Sequence, residues 1–415
     1  MDETGRATTI TTEEQEILGG MGPVSSVLAV VLCGVCAFTD LYATQPLLPL
    51  FTHIFHVSKA AAGFTVSAST LGVALSAPPF STYAERLDRK RVIVASILAL
   101  AAPTFLAATA SGLHVLVFWR FLQGVLMPGI FATTIAYITE EWPEQSVALI
   151  MALYVSGGVL GGYLGRMVSG LVADWYGWRW SFLALGAINL LGGLLVALWL
   201  PRARKSAEHA AAHASQGGGQ LEQLIGNFRS PQLVATFAVG FNVLFSLVAI
   251  FTYVTFYLAA PPFGLSTAQL SLLFTVYLVG LVATPAAGVL LTRMELRNGL
   301  VAATLLSMSG VLLTLAPSLM GVIFGLVLCS SGVFIAQAAA ISYLRQAAPM
   351  GGRVSAAGLY LSSYYMGGTL AGIVPGYLWR FGGWTACVAL TVALQLATML
   401  IALAGWKNRQ PLQEL

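Results

Sequence analysis

Long apolar runs set between short polar connections pattern this chain from near its start to near its end. Such runs fall near 24–51, 59–83, 91–110, 114–138, 145–172 and 180–200. A second set follows near 232–259, 267–291, 298–316, 319–345, 354–379 and 384–405. About 20 apolar residues in a row are enough for a helix to cross a bilayer, so the pattern predicts twelve membrane-spanning helices. The short alternating stretches of an outer-membrane barrel are not what the sequence carries. The predicted fold is all-α and polytopic, with bundles of six helices over 23–200 and 232–405. Polar segments 1–22, 201–231 and 406–415 are expected to be a cytoplasmic tail, a cytoplasmic linker and a second cytoplasmic tail.

Composition sharpens this picture. With 57% hydrophobic and 9% charged residues and a mean hydropathy of +0.82, the 415 residues do not describe a water-soluble fold. The 43 glycines and 17 prolines suit membrane helices, where small residues allow close approach and prolines break helices at functional points. The segment 201–231 is Ala-rich and interrupted by Gly217, Gly218 and Gly219, as a flexible linker would be. His209 and His213 within it have no third ligand nearby, and His53, His56 and His114 fall in loops without forming a ligand set, so no metal site is expected. Cys33, Cys36, Cys329 and Cys387 all lie in apolar runs and read as packing residues. The net charge of +4 is spread over loops without a basic stripe, and no nucleic-acid partner is expected. The first 22 residues are acidic and lack an apolar core, so no cleavable leader is expected.

The basic residues set an expected orientation. If the N-terminus is inside, the outside connections hold only Lys59, Arg179 and Arg380, and nearly all the rest lie inside. The positive-inside rule then places both termini in the cytoplasm, as for a multi-pass protein of the cell inner membrane. Trp175, Trp178, Trp180, Trp379 and Trp384 are expected to form an aromatic belt at the outer interface. The halves also repeat. A shift of 206 lays Gly161, Gly162, Gly170, Gly177 and Trp178 on Gly367, Gly368, Gly376, Gly383 and Trp384. Such a parallel duplication builds a transporter around a central site.

Three charges interrupt the apolar runs: Asp40 in the first, Arg120 in the fourth and Arg166 in the fifth. Each costs roughly 2.5–3.5 kcal/mol to place at the centre of a bilayer and marks a pathway or relay by default. Pro46 and Pro49 follow Asp40 and are expected to loosen that helix and free carbonyls toward a cavity. Arg120 must face a cavity, a carboxylate or the backbone carbonyls of neighbouring helices. Arg166 is expected either to pair with Asp174 or to bind an anionic substrate.

Three motif regions resemble the major facilitator superfamily, and within it the twelve-helix drug:proton antiporter branch. The stretch from Ser81 through Glu85, Arg86, Asp88, Arg89 and Lys90 is similar to the signature G-x-x-x-D-R-x-G-R-K, with Ser81, Glu85 and Asp88 departing from it. Arg120, Gln123 and Gly124 match the RxxQG motif of the fourth helix. Gly157, Gly158, Gly161, Gly162 and Gly165 resemble the glycine-rich antiporter motif of the fifth, though its Gly-Pro pair is absent. The resemblance implies a gating loop over Glu85, Arg86, Asp88, Arg89 and Lys90, a hinge at the five glycines, and proton coupling through Asp40 and Arg120.

A secondary transporter of small amphipathic molecules, working by alternating access, is the function this implies. Proton-driven export by antiport comes first. A proton-driven importer of a sugar, organic acid or siderophore shares the same features, and a receptor or scaffold without transport would have no need of the buried charges. Tyr42, Gln45, Arg166, Asn242, Tyr253, Tyr257, Gln337, Tyr364 and Tyr365 are the candidate cavity residues. No cofactor is expected beyond the proton gradient. The expected partners are a small-molecule substrate, protons and the lipid bilayer, with the chain acting as a monomer. No span or loop joins a nucleophile to a base, so an enzyme is not expected.

Overall fold

The fold is given by a computed structural model, in which residues 24–84, 88–202, 226–349 and 353–406 are described. The N-terminal tail, most of the linker, Glu85, Arg86 and the last nine residues lie outside the described residues. Among the described residues, ten helical stretches are long and apolar enough to cross a membrane. One of them, within Arg353–Gly405, is two spans, because Gly382 and Gly383 leave helical geometry and Gly383 has a left-handed φ of 57°. Val24–Thr39, continued after a break by Leu48–Ile54, adds the remaining span. The expectation of twelve spans is therefore met.

In chain order the other spans are Lys59–Ala84, Arg89–Ala107, Leu113–Leu126 with Pro128–Glu141, Glu144–Tyr176 and Trp178–Trp199. Pro231–Ala259, Thr267–Leu273 with Gly280–Thr292, Leu296–Leu313 and Leu319–Ala347 follow, before the long helix. Gly177 and Gly383, one repeat apart, both turn the chain with positive φ between consecutive spans. A side chain at either would be strained, which is what a tight turn between antiparallel helices asks of glycine.

The repeat is also written into the packing. Gly161 of the fifth span lies so close to the first that an added Cβ would run into the Val35 carbonyl; Gly367 meets the Phe241 carbonyl in the same way, 206 residues on. Gly157 and Gly165 face Val31 and Thr39, so glycines spaced by four form a seam along the first span. The first six spans meet the last six along the second and eleventh, where Gly63 abuts Gly372 and Ser67 donates to the Thr369 carbonyl at 2.6 Å. They meet again along the fifth and eighth, where Gly170 abuts Ser271.

Two expectations need correction. Trp178 and Trp384 are buried rather than belt residues: Trp178 packs on Phe51, Phe55 and Phe182, and Trp384 stacks on Tyr257 and donates to the Thr314 carbonyl. Each follows a turn glycine, which folds the indole back into the bundle; Trp175 and Trp180 remain exposed. Trp406, assigned to the tail, is 1% exposed, stacks on Tyr343 at 4.0 Å and donates to Thr236.

Candidate functional site: a broken first span and two buried cations

Asp40 does not sit in a helix. The first helix ends at Thr39, residues 40–44 are turns, and a single 3-10 turn, Gln45–Leu47, leads into Leu48–Ile54. Pro46 and Pro49 each fall in the first turn of the element that follows the break, where a residue without an N–H can start a helix but cannot continue the one before it. The carbonyls freed at the break face neighbouring spans rather than a cavity. Arg120 donates to the carbonyls of Asp40 and Leu41, each at 2.7 Å, and to that of Thr65 at 3.0 Å. Ser69 donates to Leu41 at 3.0 Å, and Ser169 to Ala43 at 2.5 Å.

The Asp40 carboxylate is fully buried and is bound by neutral donors. Its Oδ2 accepts from Thr104 at 3.0 Å and from Asn189 at 2.5 Å, whereas Oδ1 has no hydrogen-bond partner among the described residues. Arg120, also fully buried, touches Asp40 only through its main chain; among the described residues no ion pair joins them. The link between them is indirect: Arg120 donates to the Gln123 side-chain oxygen, Gln123 donates to Thr104 at 2.9 Å, and Thr104 reaches the carboxylate. Each polar member of the Arg120–Gln123–Gly124 motif thus has a task. Gly124 lets the fourth span touch the backbone of Ser69.

Arg166 forms a second centre. It is 2% exposed, donates from Nε to Gln45 at 2.7 Å and from Nη1 to the Gly162 carbonyl at 2.7 Å. Its guanidinium carbon lies 4.8 Å from the Tyr42 ring centroid, 5.0 Å from Phe274 and 4.7 Å from Tyr277. Asp174 is not its partner, for that carboxylate accepts from the Ala268 N–H at 3.3 Å. Phe274 and Tyr277 come from a 3-10 stretch, Phe274–Val279, in the eighth span. At three residues per turn, side chains at i and i+3 eclipse, which brings both rings over the same cation. Gln45 is held in turn by its donation to Thr252 of the seventh span at 3.0 Å.

Of the candidate cavity residues, Tyr42, Gln45 and Arg166 come together. Tyr364 and Tyr365 pack edge to face at 5.3 Å, and Tyr365 stacks on Phe131, which stacks on Phe38 of the first span. The structure places the others elsewhere. Tyr253 donates to the Gly372 carbonyl at 2.6 Å in the seam between the seventh and eleventh spans. Tyr257 packs on Phe263 and Trp384, Asn242 accepts from Ser246 at 3.2 Å, and Gln337 is half-buried. In the expected gating loop, Asp88 caps the third span by accepting from the Arg91 N–H. Arg89 is bound by both oxygens of Glu140 on the fourth span, at 2.9 and 3.2 Å, and Lys90 is half-buried. Gly158 faces Phe38 and Gly162 faces Arg166 and Tyr277, so the five expected hinge glycines divide between a helix seam and the interior.

Thr104, Asn189, Phe274, Tyr277 and Glu140 were absent from the sequence-derived candidates. Asn189 carried a legible signal, since an amide alone in an apolar run must find a partner on another helix. The aromatic pair carried none, because its alignment depends on a local change of helix type.

The Major Facilitator Superfamily profile matches residues 30–268. The inner membrane transport protein YnfM of Escherichia coli K12 is 34% identical over 378 residues, covering 90% of this chain and 88% of its own. The sialic acid transporter NanX of the same organism is 32% identical over 202 residues, 47% of this chain and 48% of its own. Among solved structures, a mutant of the nucleoside transporter NupG superposes with a TM-score of 0.75 at 14% identity, over 92% of this chain and all of the other. The family profile and the YnfM match, with a twelve-span fold around buried charges, show that this chain is a membrane transporter of the Major Facilitator Superfamily.

Proposed function

We propose that the chain is a proton-coupled antiporter that exports small organic compounds by alternating access, with both termini in the cytoplasm. The observation that carries this reading is the Asp40 carboxylate: fully buried, bound on one oxygen by Thr104 and Asn189, and without a partner on the other. Oδ1 is an atom at which a proton can be added and removed without breaking any existing hydrogen bond. Each addition removes a buried charge, and an uncompensated buried charge is costly. Protonation is therefore a large local change in free energy.

Its readout lies next door. Asp40 is within the break of the first span, whose carbonyls Arg120 bonds, and that break leads directly to Gln45 on Arg166. A proton on Asp40 and a ligand near Arg166 would act on the same eight residues of chain, so linkage between them needs no long pathway. A relative named as a sialic acid transporter is in keeping with a small organic substrate.

The test uses inverted membrane vesicles and a panel of cationic, neutral and anionic compounds, with and without a proton gradient. Gradient-dependent accumulation of at least one compound is expected, and its loss in Asp40→Asn. Undiminished gradient-driven accumulation in that variant would remove Asp40 from the mechanism. Accumulation confined to right-side-out vesicles would reverse the direction to import.

A further inference from the structure

We infer that Arg166 and its aromatic surround are a binding site for the carboxylate of a small organic anion, which makes the transported class anionic rather than cationic. The inference deepens the proposed function and rests on it only for the word transported.

Arg166 is a cation at membrane depth with no anion beside it among the described residues. Among the described residues no ion pair includes Arg166, whereas Arg89 pairs with Glu140 and Arg91 with Asp88 at the end of the third span. Arg120 is also unpaired, but its donors are used on three main-chain carbonyls, Ser69 and Gln123. Arg166 spends Nε on Gln45 and Nη1 on Gly162, and no hydrogen bond is formed by Nη2 among the described residues. Three rings cover its faces, and these offer weak compensation compared with a carboxylate, which a guanidinium fork binds through two parallel hydrogen bonds. A buried, incompletely bonded arginine is costly by itself and is stabilised when an anion arrives.

The surround fits such a ligand. Gly162, one turn before Arg166, leaves the surface beside Nη1 without a side chain: even a Cβ there would stand 3.4 Å from Nη1 and 3.5 Å from the Tyr277 ring. Tyr42 and Tyr277 lay their rings over the guanidinium, apolar faces for a ring or short chain attached to the carboxylate. The site also joins the two sets of spans, with Tyr42 and Gln45 from the first, Arg166 from the fifth, Thr252 from the seventh and Tyr277 from the eighth. An occupant there touches both sides of the interface that must rock in alternating access.

Binding is measured on the purified full chain in detergent, without any proton gradient, by thermal shift and quenching of tryptophan fluorescence. The probes are benzoate, salicylate, pyruvate and glucuronate, each against its neutral amide, with benzylammonium as a cation. At least one carboxylate should stabilise the wild type while its amide does not. Arg166→Gln should weaken that binding roughly tenfold to a hundredfold, the worth of a charge-assisted hydrogen bond. Arg166→Lys should recover only part of it, since lysine keeps the charge and loses the fork. Equal response to acid and amide, preference for the cation, no response to any carboxylate, or full binding in a folded Arg166→Gln protein overturns the inference. Because no gradient is present, these outcomes are independent of whether Asp40 couples protons.

Discussion

Set against each other at a shift of 206 residues, the two copies of the repeat share a scaffold and differ in charge. In the first copy Asn189 donates to Asp40, Thr104 donates to Asp40, and Gln123 donates to Thr104. In the second, Gln395 occupies the place of Asn189 and Ser246 that of Asp40, while Leu326 and Cys329 replace Arg120 and Gln123. Gln395 donates to Ser307 at 2.9 Å, and Ser307 contacts Cys329 at 3.7 Å. The polar cluster survives as a neutral one. Among the described residues, buried charge belongs to the copy whose leading span is broken.

The difference in the leading spans explains the difference in the arginine. The first span is interrupted from 40 to 47 and leaves carbonyls that need donors, which Arg120 provides from a neighbouring helix. The seventh span, Pro231–Ala259, is continuous; its carbonyls are satisfied within the helix, and Leu326 at the corresponding place is fully buried among apolar neighbours. In the first copy charge thus accompanies a broken leading span, and in the second an apolar residue accompanies a continuous one.

Three measurements break or sharpen this contrast. The largest effect is expected from Asp40→Ser, which writes the second copy's residue into the first: gradient-driven transport in vesicles should fall to the uncoupled background. Ser246→Ala, which removes only the hydroxyl that bonds Asn242, should leave that coupling in place. Equal losses from the two would mean that charge is not what distinguishes the copies.

Next comes Arg120→Leu, which imposes the second copy's residue on a span that is still broken. Thermal unfolding in detergent should show a loss of about 2 kcal/mol or more, since a hydrogen bond from a charged group contributes about 1.5–3 kcal/mol. An unchanged unfolding temperature would show that the break does not depend on Arg120. The smallest effect, and the one where the copies should agree, is at the helix seams. Gly161→Ala and Gly367→Ala each push a methyl into a carbonyl of the facing helix, Val35 or Phe241. Both should destabilise by about 1–3 kcal/mol, the usual range for overpacking, and by similar amounts. A marked inequality would indicate that one seam slides and the other does not.

The twelve spans were legible in the sequence because lipid imposes a simple condition: every backbone group inside it must be bonded locally, so the helices announce themselves as apolar runs of fixed length. Asp40, Arg120 and Arg166 were legible for the same reason, since a charge in such a run is an expense that stands out. The duplication could be read from glycines, and the contacts of Gly161 and Gly367 give it a physical basis. What the sequence suggested less well was pairing. Arg120 was open to a carboxylate or to backbone carbonyls, and Arg166 to Asp174 or a substrate, because a sequence shows which groups need partners but not which spans stand beside them. Tyr253 and Tyr257 were equally plausible in a cavity and in a seam, because a tyrosine has both an apolar face and a donor.

The sequence by itself therefore determined the membrane, the number of spans, the repeat and the identity of the buried charges, all of which follow from one-dimensional rules of length and polarity. Only the tertiary structure decided what those charges face. Arg120 serves the break beside Asp40, Asp40 is left with neutral partners, and Arg166 is left with rings and no anion, because these outcomes depend on where a helix is interrupted and which neighbour crosses it there.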